Sequence, residues 1–124
     1  MASDDEYEIK METRGEYLLV MVGGQKLTAD IAVSYWNEIA NACEERSVTK
    51  VLIEKDFPLS VGPAEMVRMA DHVGNILPGR KIAFCDRYSH ESINELGKKL
   101  ARNRQVMMQL FDNVQDAERW LLAN

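Results

Sequence analysis

Two short stretches, each following a strand-like run, hold residue types that could do chemistry. The first is "EKDFPLSVGPAEM" (54–66), in which Ser60 and Gly62 precede a predicted helix. A phosphate on Ser60 would meet the positive end of the helix dipole. Alternatively, the hydroxyl belongs to the turn and satisfies free backbone N–H groups at the helix start. Ser60 is therefore a candidate phosphoacceptor or part of a helix cap.

The second stretch is "CDRYSHES" (85–92), which follows the next strand-like run. Cys85 and His90 could form a nucleophile and base. Arg87 could bind an anion beside two helix N-termini. The alternative is structural: Cys85 ends a buried strand as a small hydrophobe, and Ser89 caps the next helix. We assign no catalytic residue and predict binding residues instead: Trp36, Ser60, Gly62, Met66, Arg87, Tyr88, Ser89 and His90.

A third candidate site is apolar. Tyr35 and Trp36 are adjacent, so one is expected in the core and the other at its margin. Trp36 could form the wall of a cleft that Met66 and Met69 also line, and such a cleft would bind a small apolar ligand. The alternative is ordinary core packing at helical spacing.

One basic cluster, "GKKLARNR" (97–104), interrupts an acidic chain. It could contact an acidic partner or membrane headgroups. We favour the alternative, in which these cations lie at a helix C-terminus where the dipole attracts them.

The composition indicates one globular domain spanning residues 1–124, with residues 1–5 expected to be flexible. Of the 124 residues, 46% are hydrophobic and 28% are charged, which is typical of a chain that folds around one core. The formal charge of −5 argues against nucleic acid as a partner, since phosphate binding needs a basic face.

The cysteines and the N-terminus suggest a cytoplasmic protein. The acidic start "MASDDEYE" does not resemble a signal peptide, and no apolar run is long enough to span a membrane. Cys43 and Cys85 are therefore expected to be reduced. The two histidines are not spaced like zinc ligands, and we predict neither a metal nor a cofactor.

Hydrophobic periodicity predicts the order ββαβαβαβα. "YEIKMET" alternates, with Tyr7, Ile9 and Met11 on the inner face, and a turn at 14–16 leads to "YLLVMVGG". The runs "KVLIEK", "KIAFC" and "QVMMQLF" then alternate with helical segments. The predicted class is α/β, with four helices and a five-stranded mixed, mostly parallel sheet.

Turn and cap residues set the helix limits. Thr28 caps the first helix, which ends near Arg46; the second runs from Pro63 to Pro78-Gly79; Ser89 and Asn113 cap the third and fourth. The predicted inner faces are Ala32, Trp36, Ile39 and Cys43; Met66, Met69, Ala70, Val73 and Ile76; Ile93, Leu96, Gly97 and Leu100; and Val114, Ala117 and Leu121. Gly97 is expected to let the third helix approach the sheet closely.

Two segments carry a resemblance to a known family. They are the strand-turn-helix "VLIEKDFPLSVGPAEMVRMA" and the ending "QVMMQLFDNVQDAERWLLAN", which closes with Ala-x-x-Trp-Leu after Phe111 and Asp112. With the order of elements over nearly the whole chain, they resemble the SpoIIAA-like fold. That fold includes the STAS domains of sulfate transporters and anti-sigma-factor antagonists.

The resemblance implies a β-α superhelix with a regulatory or ligand-binding role. Classical members bind a kinase-like partner and are switched by phosphorylation of a serine in an Asp-Ser-Ser/Thr-Gly turn. The turn here reads Pro58-Leu59-Ser60-Val61-Gly62 and lacks both the aspartate and the small residue after the serine. The chain is thus more similar to an uncharacterised bacterial SpoIIAA-like branch without the phosphoserine motif, and we do not expect Ser60 to be phosphorylated.

The sequence therefore predicts a non-enzymatic regulatory or binding module whose working edge is formed by loops 56–63 and 85–90. Binding of a protein partner requires an exposed apolar patch near Ser60 and Met66. A small apolar or lipid-like ligand requires a pocket between helices. A thiol enzyme would require Cys85 to be exposed and hydrogen-bonded to a base. The sequence is also compatible with a homodimer.

Overall fold

The structure is a computed structural model that describes residues 7–123. The predicted order of elements is confirmed: β1 (Glu8–Arg14), β2 (Tyr17–Gly23), α1 (Ala29–Arg46), β3 (Lys50–Asp56), α2 (Pro63–Ile76), β4 (Lys81–Asp86), α3 (Glu91–Asn103), β5 (Met107–Phe111) and α4 (Val114–Leu122). The predicted flexibility of residues 1–5 lies outside the described residues.

The five strands form one sheet in the order β1-β2-β3-β4-β5. β1 and β2 are antiparallel and are joined at Gly15, whose φ of 58° lies in the left-handed region that glycine adopts without strain. The other neighbouring strands are parallel. All four carboxyl ends of β2, β3, β4 and β5 therefore meet at one edge of the sheet.

Helices cover the sheet on two faces. α1, α2 and α3 pack on one face, where Leu18, Val20 and Ile53 enter the larger core. α4 packs on the other through Ala117 and Leu121. Because both faces of β2 and β3 are covered, their sequences are nearly continuous apolar runs. β1 is covered on one face only, which explains its alternation.

Two of the predicted helix caps are confirmed. Thr28 Oγ1 accepts a hydrogen bond from the Ile31 N–H at 3.1 Å at the start of α1. Asn113 Oδ1 accepts one from the Asp116 N–H at 2.8 Å at the start of α4. α2 begins at Pro63 as predicted.

The predicted start and inner face of α3 are partly wrong. His90, not Ser89, is the N-cap, and it makes no side-chain capping bond. The buried stripe runs through Asn94, Gly97 and Ala101, and the predicted leucine and isoleucine positions are half-buried flanks packed on the core. A polar residue can occupy the stripe because the Asn94 amide donates a hydrogen bond to Asp86.

Gly97 brings two helices together rather than a helix and the sheet. A Cβ at this position would lie 3.0 Å from Met66 Sδ on α2, which corrects the predicted contact. The absence of a side chain therefore leaves room for Met66 between the two helices.

Tyr35 and Trp36 are both buried, so the prediction that one lies at the margin is wrong. Successive helical residues point about 100° apart, and α1 has neighbours in both directions. The Tyr35 ring stacks on Phe57 with centroids 6.3 Å apart, and Trp36 joins Tyr35 in lining a cavity beside α2.

Both cysteines are buried and free. No helix within residues 7–123 is long and apolar enough to cross a membrane. The same residues hold no group of three or more His, Cys, Asp or Glu side chains placed to bind a metal ion.

Candidate functional site

Three loops at the carboxyl edge of the sheet are held together by backbone hydrogen bonds. They comprise residues 24–28, 56–63 and 85–90, which we call the rim. The Leu27 N–H donates to the Leu59 carbonyl at 2.8 Å, and the Arg87 N–H donates to the Lys55 carbonyl at 2.9 Å. The rim is therefore a continuous surface, at the place where open α/β sheets tend to bind ligands.

His90 links two of these loops through its side chain. Its Nε2 donates to the backbone carbonyl of Phe57 at 3.1 Å. The Tyr88 ring lies beside the imidazole, with centroids 6.2 Å apart. Arg87, Tyr88 and His90 are thus brought next to the turn that carries Ser60.

The rim exposes apolar side chains. Leu59 is 55% exposed and Tyr88 is 37% exposed, although both are large hydrophobic residues. Met66, in contrast, is buried beneath the rim. Leu59 beside Ser60 and Tyr88 on the loop at 85–90 are therefore the exposed large hydrophobic residues of the rim, and Met66 is not one of them.

An open cleft of about 1660 Å³ lies beside these loops. Among its lining residues are seven carboxylates, Glu8, Asp30, Glu54, Asp56, Glu65, Asp86 and Asp112, and four cations, Lys10, Lys26, Lys55 and Arg87. The cleft is therefore acidic, and Arg87 is one of its few exposed cations.

Ser60 is not a helix cap. The N-cap of α2 is Gly62, with no side-chain capping bond. Ser60 Oγ is shielded from solvent and has no hydrogen-bond partner among the described residues. Phosphoryl transfer to this oxygen would require the turn to open.

Cys85 does not meet the requirements of a catalytic thiol. It is buried, and the described residues give it no hydrogen bond to a base, since the His90 Nε2 bonds to Phe57. Burial, followed by the nearby Glu54 and Asp112 charges, raises the pKa of the Cys85 thiol to about 11. The nucleophilic thiolate is thus scarce at neutral pH.

A buried polar group that the sequence did not predict lies beneath the rim and consists of Lys55, Asp86 and Asn94. Lys55 is only 2% exposed. Its Nζ lies 4.0 Å from Asp86 Oδ2 and 5.2 Å from the centroid of the Phe84 ring. Burial lowers the pKa of Lys55, and the charge of Asp86 opposes that shift.

Asp86 joins three elements through its two oxygens. Oδ1 accepts the Tyr88 N–H at 3.0 Å, and Oδ2 accepts the Asn94 Nδ2–H at 2.9 Å. The remaining Asn94 acceptor, Oδ1, is buried with no partner among the described residues. A sequence signal for this group existed, because Lys55 alternates with Val51 and Ile53 and so points to the face of β3 that α1, α2 and α3 cover.

A cavity of about 40 Å³ lies between α1, α2, α3 and the sheet. It brings together Trp36, Met66 and Met69, the three residues predicted to share a cleft. Lys55 and Asn94 also line it, so the cavity has a polar end that the sequence did not reveal.

Three of the four cations of the basic cluster at 97–104 have partners among the described residues. Arg102 Nε donates to the Met108 carbonyl at 2.8 Å, and Arg104 Nε lies 2.6 Å from Asp71 Oδ1. Lys98 pairs with Glu95 at 3.3 Å. Arg104 Nη1 also donates to the Leu100 carbonyl in the last turn of α3 at 2.9 Å, as expected for a cation at a helix C-terminus.

The architecture matches solved structures over nearly its whole length. One is an anti-sigma factor antagonist from Mycobacterium paratuberculosis, with a TM-score of 0.65, 12% identity, and coverage of 96% of this chain and 97% of that one. Another is an uncharacterised protein of the DUF3478 family with a SpoIIAA-like fold from Shewanella loihica PV-4. It has a TM-score of 0.56, 14% identity and 94% coverage of both chains. The fold is SpoIIAA-like.

The resemblance seen in the sequence is thus confirmed at the level of the fold. No family model matches the chain, and no curated protein matches its sequence. The low identity of the two solved structures means that their likeness establishes architecture and not activity.

Proposed function

We propose that this SpoIIAA-like domain is a non-enzymatic regulatory module that binds a protein partner through the rim. The observation that carries the proposal is the exposure of Leu59 and Tyr88. They lie on two loops that hydrogen bonds hold to adjacent segments of the rim. Large apolar side chains on a preorganised surface are typical anchors of protein interfaces. The likeness of the fold to an anti-sigma factor antagonist supports a regulatory role.

The charges beside the rim define the partner's chemistry. Seven carboxylates line the adjoining cleft against four cations, and one of those cations, Lys55, is buried near Asp86. Complementarity favours a partner that places an apolar side chain on Leu59 and Tyr88 and surrounds it with lysine or arginine.

The proposal includes no thiol chemistry and no phosphoserine switch. A buried Cys85 with a raised pKa argues against a nucleophile. The shielded Ser60 Oγ argues against a phosphoacceptor. Free cysteines fit a reducing compartment, and we propose the cytoplasm.

Quantitative affinity capture from the source organism tests the proposal. The bait is the wild-type domain, Leu59→Ser or Met107→Ser, with captured proteins measured by mass spectrometry. Met107 is a matched control, because it is also 55% exposed but lies at the amino end of β5, away from the rim. We expect one partner to be retained by wild type and by Met107→Ser but lost with Leu59→Ser. Equal capture by all three baits would contradict the proposal.

A second candidate function is binding of a small hydroxylated apolar ligand in the cavity. The observation in its favour is that Lys55 and Asn94, whose Oδ1 has no partner among residues 7–123, both line a space that is otherwise largely apolar. A hydroxyl could accept from the ammonium and donate to the amide oxygen. The cavity admits only a very small molecule unless the methionines rotate.

Saturation-transfer NMR with methanol, an alcohol small enough for a space of about 40 Å³, tests this second function. Wild type should give a signal, and Gly97→Leu, which directs a side chain towards Met66 and the cavity, should abolish it. Circular dichroism confirms that the variant is folded. Equal signals from both proteins would rule out the cavity as the binding site.

A further inference from the structure

The outer edge of β1 presents a regular pattern of charges. β1 has a single neighbour in the described sheet, β2, so its other side is a free edge. Four of its exposed residues lie on the face turned away from the larger core, in the order Glu8, Lys10, Glu12 and Arg14. The backbone groups of a free edge are a template for another strand.

The order of these signs is self-complementary about Met11. If a second copy of β1 lies antiparallel with Met11 opposite Met11, Glu8 faces Arg14 of the other copy and Lys10 faces Glu12. Two-fold symmetry repeats both pairs, which gives four cross-strand pairs of opposite charge. Such pairs stabilise a sheet, whereas like charges directly opposite one another destabilise it.

Other registers are less favourable. A register centred on Lys10 would place the two Lys10 side chains opposite each other and Glu8 opposite Glu12 of the other copy. A register centred on Glu12 would place the two Glu12 side chains opposite each other and Lys10 opposite Arg14 of the other copy. Registers centred on Ile9 or Thr13 also place opposite charges across from each other, but they pair fewer of the seven residues of β1. Met11 is the middle residue of Glu8–Arg14, so its register alone uses the whole strand.

The other face of β1 is compatible with this pairing. Ile9 and Met11 pack against the larger core of their own copy. Arg14 pairs with Glu12 of its own strand at 3.0 Å, but its side chain remains 44% exposed and can also reach a second carboxylate. Charges of one sign along an edge would repel a second copy, and β1 alternates them instead.

We propose that this protein forms a homodimer in which two β1 strands pair antiparallel about Met11, joining two five-stranded sheets into one of ten strands. The interface is isologous, as in most two-fold dimers. The two-fold axis is perpendicular to the sheet, so α1, α2 and α3 of both copies lie on the same side. The two rims then point in opposite directions and stay free.

Analytical ultracentrifugation of charge variants over a range of concentrations tests the dimer. Lys10→Glu places glutamates opposite each other at two symmetric positions and should weaken dimerisation by about tenfold or more. The double variant Lys10→Glu/Glu12→Lys restores opposite charges in the same register and should restore the dimer. A thermal melt shows that each variant remains folded.

The rescue distinguishes this interface from a general effect of surface charge. Wild-type dimers that are weakened by Lys10→Glu and restored by the double variant support the proposal. A wild-type protein that stays monomeric up to about 1 mM overturns it. Dimers that are insensitive to Lys10→Glu, or that the double variant fails to restore, also overturn it.

Discussion

The carboxylate oxygen Oδ2 of Asp86 lies 2.9 Å from Nδ2 of Asn94, so the end of β4 is tied directly to the inner stripe of α3. The same carboxylate holds the Tyr88 N–H of the rim. The position of Tyr88, which the proposed function uses, therefore depends on a buried contact that lies behind it.

Asn94→Ala should destabilise the protein by about 1–3 kcal/mol, because it leaves a buried carboxylate oxygen without its donor. Urea denaturation measures the loss. Asn103→Ala is the matched control, since Asn103 is exposed at the end of the same helix and should change stability by less than about 0.5 kcal/mol. Equal changes in the free energy of unfolding for the two substitutions would show that the Asp86–Asn94 contact contributes nothing to stability.

Lys55 makes the stability depend on pH in the alkaline range. Its folded pKa is lowered from 10.5 by burial, so the unfolded chain binds more protons between the folded pKa and 10.5. The free energy of unfolding therefore rises with pH through that window. The full gain is present above pH 10.5, and it is lost as the pH falls through the folded pKa of Lys55.

Lys55→Met isolates this contribution from the other titrating groups. In urea titrations from pH 7 upwards, wild type should gain stability relative to Lys55→Met as the pH approaches 10.5. A difference that stays constant with pH would mean that Lys55 is not perturbed by its burial.

Gly97→Leu should cost roughly 1–3 kcal/mol, because its side chain would compete with Met66 for the same space. Gly97→Ala should be close to neutral, since the Met66 thioether can move and alanine favours the helix. The leucine should be tolerated better, by about 1 kcal/mol or more, in a Met66→Ala background. The absence of such coupling in urea denaturation would place Met66 elsewhere.

Ser60→Ala should leave the free energy of unfolding unchanged or raise it by up to about 1 kcal/mol, because it removes a shielded hydroxyl that has no partner within residues 7–123. Thr28→Ala is the comparison, since Thr28 caps α1 and its loss should cost about 1 kcal/mol. A loss at Ser60 as large as that at Thr28 would indicate a capping hydrogen bond after all.

These residues also show which helix starts can be predicted from the sequence. Thr28, Pro63 and Asn113 set helix starts through contacts within three residues, and such local chemistry is visible in the sequence. Ser89 resembled a cap equally well, but the chain enters α3 one residue later. Local sequence patterns therefore predict the helices and strands, whereas the residues at which some of them begin depend on tertiary contacts.

The buried polar group depended on long-range contacts. Lys55, Asp86 and Asn94 belong to three elements, and each resembles an ordinary surface residue when read alone. Only the parallel register that places Lys55 beside Asp86 and the rotation of α3 bring them together. The polar end of the cavity could not be predicted for the same reason.

Site-specific photo-crosslinking in living cells of the source organism tests most directly whether the rim binds a protein partner. A photoreactive phenylalanine analogue replaces Leu59 on the rim or Met107 at the amino end of β5, two positions with the same 55% exposure. We expect a covalent adduct with one protein from position 59 and none from position 107. Adducts from neither position, or the same adduct from both, would contradict the proposed function.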